Sequence, residues 1–161
     1  MSPGDELDGA VKGLTLEEAT TRHDSGSSVA WTVGHVTTML DSWINTNFQG
    51  LPAHPLISNP NFRTGGTGEE NDWTGVLAAV EEVRGSNQRF LDPEPGPELE
   101  RVVPYNGSVE FLHPVGLRLS YALMRIAVHR FIHVGEIQTV RSRLDHNIDK
   151  MFGPDWGRAL A

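Results

Sequence analysis

Residues 117–145 read LRLSYALMRIAVHRFIHVGEIQTVRSRLD, a run without proline in which Leu119, Leu123, Ile126, Val128, Ile132, Ile137, Val140 and Leu144 recur at helical spacing. At about 1.5 Å per residue this predicts a helix about 40 Å long, enough to form the spine of a bundle. Ala122, Ile126, His129, His133, Ile137 and Val140 make a stripe expected to face the core. His129 and His133 are four residues apart, so their imidazoles share one face and can point at one ion. Two adjacent buried imidazoles need polar partners, because an unsatisfied buried polar group costs about 1–3 kcal/mol. A shared metal ion satisfies both. Two structural histidines bonded to backbone carbonyls are the competing explanation.

Working outward, residues 28–48 (SVAWTVGHVTTMLDSWINTNF) keep Val29, Val33, Val36, Leu40, Trp43 and Ile44 at helical spacing behind the N-cap candidates Ser27 and Ser28. His35 lies on this helix, one turn from both Trp31 and Met39. Asp72 can cap a third long helix with the inward stripe Trp73, Val76, Leu77, Val80, Val83, Phe90 and Leu91, closed by Pro93. Residues 5–13 predict about two helical turns before Gly13. Thr15-Leu16-Glu17-Glu18 then offers a capping box for a short helix over 16–21. RVVPY and SVEFL, flanking Asn106-Gly107, suggest a small hairpin. The expectation is a single all-α helical domain over 1–161.

With 161 residues, 38% of them hydrophobic, the chain can bury one core. The absence of a long apolar run or basic apolar leader makes a soluble, cytoplasmic protein the expectation. A net charge of −8 argues against nucleic acid as a partner, since phosphate binding needs clustered cations. Arg118, Arg125, Arg130, Arg141 and Arg143 are read as a solvated, locally basic helix face. Cysteine is absent, which excludes disulfides, zinc–thiolate sites and protein thiol nucleophiles. His23, His54, His113 and His146 fall near helix ends or before prolines and are read as loop or cap residues.

Three segments in register resemble the DinB superfamily: GLTLEEATTR (13–22), SSVAWTVGHVTTMLDSWI (27–44) and HRFIHVGEI (129–137). The second resembles a small-Trp-x-x-x-His pattern, and the third His-x-x-x-His-x-Gly-Gln-Ile. The resemblance implies a four-helix bundle, here with a shortened first helix and long inter-helix loops, and commonly a homodimer. It also implies His35, His129 and His133 as ligands of a divalent transition metal, zinc or nickel first and iron as a further option. Where the family has Gln, this chain has Glu136, which could accept a ligand N–H, approach the metal, or pair with Arg130 or Arg143.

Three histidines leave a coordination position open, as catalytic sites do. The resemblance implies a thiol S-transferase or isomerase using mycothiol, bacillithiol or glutathione on a small-molecule electrophile. Trp31, Met39 and Tyr121 are candidate pocket walls; Arg125 is a candidate for a cofactor carboxylate, or faces solvent. A hydrolase using metal-activated water and a non-catalytic metal-binding bundle remain alternatives. An oxygen-dependent sulfoxide synthase would need glutamate where Gly135 stands.

Overall fold

The computed structural model describes residues 6–144 and 146. Their helices are α1 (Glu6–Val11), α2 (Leu16–Thr20), α3 (Val29–Met39), α4 (Trp73–Leu91) and α5 (Leu119–Arg143). Three of them start as the sequence dictates. Thr15 and Glu18 form a reciprocal capping box, Glu18 N–H donating to Thr15 Oγ1 (3.2 Å) and Thr15 N–H to Glu18 Oε2 (2.8 Å). Ser28 Oγ accepts from Trp31 N–H at 3.2 Å, and Asp72 Oδ1 from Gly75 N–H at 2.9 Å. None of the helices described is long and apolar enough to cross a membrane.

α3 runs directly into a π-helical segment, Leu40–Phe48. The expected helix over 28–48 is therefore continuous, but its hydrogen bonding widens after Met39. Two buried asparagines tie this wider turn to α4: Asn87 Nδ2 donates to Asn45 Oδ1 (2.8 Å), and Asn45 Nδ2 to the Val83 carbonyl (3.3 Å). These bonds meet both side-chain NH2 groups and the Asn45 oxygen, while Asn87 Oδ1 stays buried without a partner.

The apolar residues form two main clusters. One joins Leu7 and Ala10 of α1, Val29, Val33 and Val36 of α3, Trp73 and Val76 of α4, and Val134 and Ile137 of α5, with Phe62 from the 3-10 turn Pro60–Phe62. The other joins Trp43, Ile44 and Phe48 to Val103, Leu117, Leu119 and Ile126. The start of α3 thus packs with the end of α5, and the continuation of α3 with the start of α5, so the two run antiparallel. His35, His129 and His133 fall where the clusters meet.

Several expectations are corrected. The expected hairpin is instead the antiparallel pair β1 (Val102–Val103) and β2 (Leu117–Arg118); SVEFL contributes the 3-10 turn Glu110–Leu112. Leu117 and Arg118, expected in the last helix, belong to β2, and that helix's expected end at Asp145 lies outside the described residues, as does the start of the first at Asp5. Leu77, expected inward, is 36% exposed. Arg141 is not on a solvated face. It is 8% exposed, and its Nη1 donates to the carbonyls of Ala10 (3.0 Å) and Lys12 (2.7 Å) at the end of α1. Arg143 pairs with Asp24, and Arg118 with Glu100 at 2.8 Å.

Candidate metal centre

α3 supplies His35, and α5 supplies His129 and His133 from adjacent turns. Their ring centroids are 5.0 Å (His35–His129), 4.9 Å (His35–His133) and 4.6 Å (His129–His133) apart. One ring nitrogen from each lies within 4.8 Å of the others.

The outer nitrogens determine which atoms face inward. His35 Nδ1 lies 2.6 Å from the Phe62 carbonyl. A carbonyl only accepts, so Nδ1 carries the hydrogen and Nε2 keeps its lone pair. His133 Nδ1 likewise donates to Glu136 Oε2 at 2.6 Å. Anchoring by a carbonyl or carboxylate orients metal-binding histidines in this way. His129 Nε2 faces His133 Nε2 at 3.1 Å, while His129 Nδ1 is buried with no hydrogen-bond partner. A cation between the rings would replace that nitrogen–nitrogen contact with one partner for all three. The donor set therefore suits zinc, nickel or iron.

Electrostatics act in the same direction. Burial lowers the His35 pKa, opposed by the bond to Phe62. Burial, then the charges of His133, His35 and Arg125, lowers His129 to about 4. Both imidazoles are thus neutral near pH 7, the form that binds metal.

The structure brings two other candidates to this centre. Trp31 stacks on His35 (4.8 Å between centroids, 7° between planes), and its indole N–H donates to the Asn61 carbonyl at 2.7 Å. Glu136 Oε2 accepts from His133 Nδ1, the ligand N–H among the roles expected of it. Arg125 is exposed, its charge acting on His129. Met39 packs at the edge of the Trp43 cluster. Tyr121 lies against Trp43 (6.2 Å) and Phe111 (6.2 Å), eight residues and about 12 Å of helix rise from His129. It is not brought to the imidazoles. Of the other histidines, His54 meets Glu82 (3.2 Å), His113 the Gly107 carbonyl (2.7 Å) and His146 Glu18 (2.7 Å). His23 keeps a buried Nε2 without a partner.

Sequence reasoning missed Asn61 and Phe62, whose carbonyls receive Trp31 and His35. They lie in a loop whose pairing no periodicity announces. One signal was available. Gly34 sits inside a helix, where glycine costs about 1 kcal/mol relative to alanine and so calls for a reason.

A helical bundle with three converging imidazoles defines a candidate metalloprotein. A family model for the DinB superfamily matches residues 4–137, a span that includes all three histidines. The chain belongs to the DinB superfamily. No curated protein and no solved structure matches it.

Proposed function

We propose that the protein is a metal-dependent thiol S-transferase or isomerase. His35, His129 and His133 hold a divalent transition metal, and mycothiol, bacillithiol or glutathione supplies the nucleophile. One observation carries this reading: three imidazoles converge, two of them with outer nitrogens anchored so that Nε2 faces inward. The bound metal supplies Lewis acidity that lowers the pKa of a coordinated thiol. Trp31 walls the site on the His35 side, and Glu136 fixes His133. One turn beyond His133, a cleft of about 500 Å³ is lined by Ser25, Thr32, Glu136, Thr139 and Arg143 among others, giving a polar co-substrate room beside the centre. The absence of cysteine leaves no protein thiol to compete for metal or electrophile.

Cobalt substitution tests this. Sulfur ligation produces an intense near-ultraviolet charge-transfer band that nitrogen and oxygen ligands lack. One of the three thiols is expected to raise that band before any electrophile is added, and to fail with His35→Ala. Affinity in the micromolar to millimolar range, about 4–8 kcal/mol, is expected, so thiol is supplied in excess. Silence from all three, with hydrolysis of an activated ester, would transfer the reading to metal-activated water. Silence with no turnover would leave a binding protein.

The same reading includes a homodimer. Met124, Val128, Phe131 and Ile132 share one face of α5, each between 48% and 59% exposed. Gly135 lies on that face with open space at its Cβ position, room for close approach of another helix. Contiguous exposed apolar surface of this kind marks interfaces. Light scattering is expected to give a dimer for the wild type and a monomer for Phe131→Glu/Ile132→Lys. A wild-type monomer across micromolar concentrations would count against it.

A further inference from the structure

We propose that Gly34 is a positioning residue for the metal centre, acting through Phe62 on the tautomer and orientation of His35. The inference rests on His35 being a metal ligand, and extends that reading to a residue that touches neither metal nor substrate.

A Cβ at position 34 would lie 2.5 Å from Phe62 Cδ1 and 2.7 Å from Cζ, distances that real Cβ atoms do not show. The ring that fills this place is fully buried, with 0% exposure, and cannot swing to solvent. The notch left by Gly34 thus lets Phe62 lie against the backbone of α3. Its carbonyl then falls 2.6 Å from His35 Nδ1. Because that carbonyl can only accept, it holds the proton on Nδ1 and leaves the Nε2 lone pair free to face His129 and His133.

A second tie belongs to the same device. Trp31 donates its indole N–H to the neighbouring Asn61 carbonyl at 2.7 Å while its ring lies flat on His35. The pair Asn61-Phe62 therefore receives hydrogen bonds from two successive turns of α3, and His35 is held on one face and one edge. Asn61 also braces its own loop, its Oδ1 accepting from Thr67 N–H (3.0 Å) and its Nδ2 donating to the Glu69 carbonyl (2.8 Å). The ring of Phe62 in the Gly34 notch seats this strip on the helix.

The test is a bump and its relief, read in two ways. Nitrogen–proton correlation spectra of the metal-free protein report the His35 tautomer directly, and zinc titration reports affinity. The wild type is expected to show the Nδ1–H tautomer. Gly34→Ala is expected to lose it and to bind zinc at least about 10-fold more weakly, the effect typical of removing an outer partner of a ligand. Phe62→Val removes every ring atom that the added methyl would meet. The double variant Gly34→Ala/Phe62→Val is therefore expected to match Phe62→Val in tautomer and to within about threefold in affinity.

A folded Gly34→Ala that keeps both tautomer and affinity overturns the proposal. So does a further loss when Gly34→Ala is added to Phe62→Val, and this comparison decides the matter even if the single glycine variant does not fold. If the wild type binds no zinc but the tautomer moves as described, the metal reading fails and the positioning role stands. If zinc binds tightly and the tautomer ignores the substitution, the reverse holds.

Discussion

Replacing His129 or His133 by alanine is expected to abolish stoichiometric binding of a divalent transition metal. Each variant leaves two imidazoles, and the pair that remains no longer surrounds a common centre. The loss should exceed the 10–100-fold that typically follows removal of an outer partner, because a ligand itself is gone. Unfolding is not expected to confuse the result for His129→Ala. Its Nδ1 is buried and unpartnered, a burden of about 1–3 kcal/mol that the substitution removes. Metal analysis of untagged protein gives the readout, with His54→Ala and His113→Ala as controls, since those side chains bond Glu82 and the Gly107 carbonyl instead. Wild-type metal content in both variants would defeat the three-histidine centre.

The second large effect concerns stability. Arg141→Ala is expected to destabilise the fold by about 2–3 kcal/mol, since hydrogen bonds from a charged donor contribute about 1.5–3 kcal/mol and the carbonyls of Ala10 and Lys12 lose theirs. The damage should be local first. α1 is six residues long, too short to persist without docking, so its amides should exchange faster than those of α3 and α5. Urea unfolding with hydrogen exchange measures both quantities. A variant within about 0.5 kcal/mol of wild type, the range of ordinary surface substitutions, would show that Arg141 is not the tie described.

The long helices and the imidazole pair were legible because their signals are local. Periodicity placed α3, α4 and α5, and a four-residue spacing put His129 above His133. The capping box at Thr15 and the cap at Asp72 were equally readable, since each joins residues three apart. Failures occurred where distant segments decide the outcome. Val102–Val103 pairs with Leu117–Arg118, not with the adjacent SVEFL, and no turn signal carries that choice. Arg141 looked like any arginine on a polar helix face until α1 placed carbonyls over it. Tyr121 shares a helix with His129 and His133 but sits two turns from His129, where helical rise rather than sequence proximity sets what it can touch. Phe62 acts through its backbone, which has no residue-type signature at all.

The tie between α1 and Arg141 spans 131 positions of the chain, and that separation is also an interval of time. At about 5–20 residues per second, a ribosome adds those positions in roughly 7–26 s. Throughout that interval Leu7 and Ala10, which end buried beside Val134 and Ile137, have no α5 to lie against. His35 waits similarly for His129 and His133. A nascent chain therefore cannot assemble this centre stepwise from its N-terminal side. The site and the docking of α1 both become available only once α5 is made, so capture of a metal ion by these three histidines would have to follow the synthesis of α5.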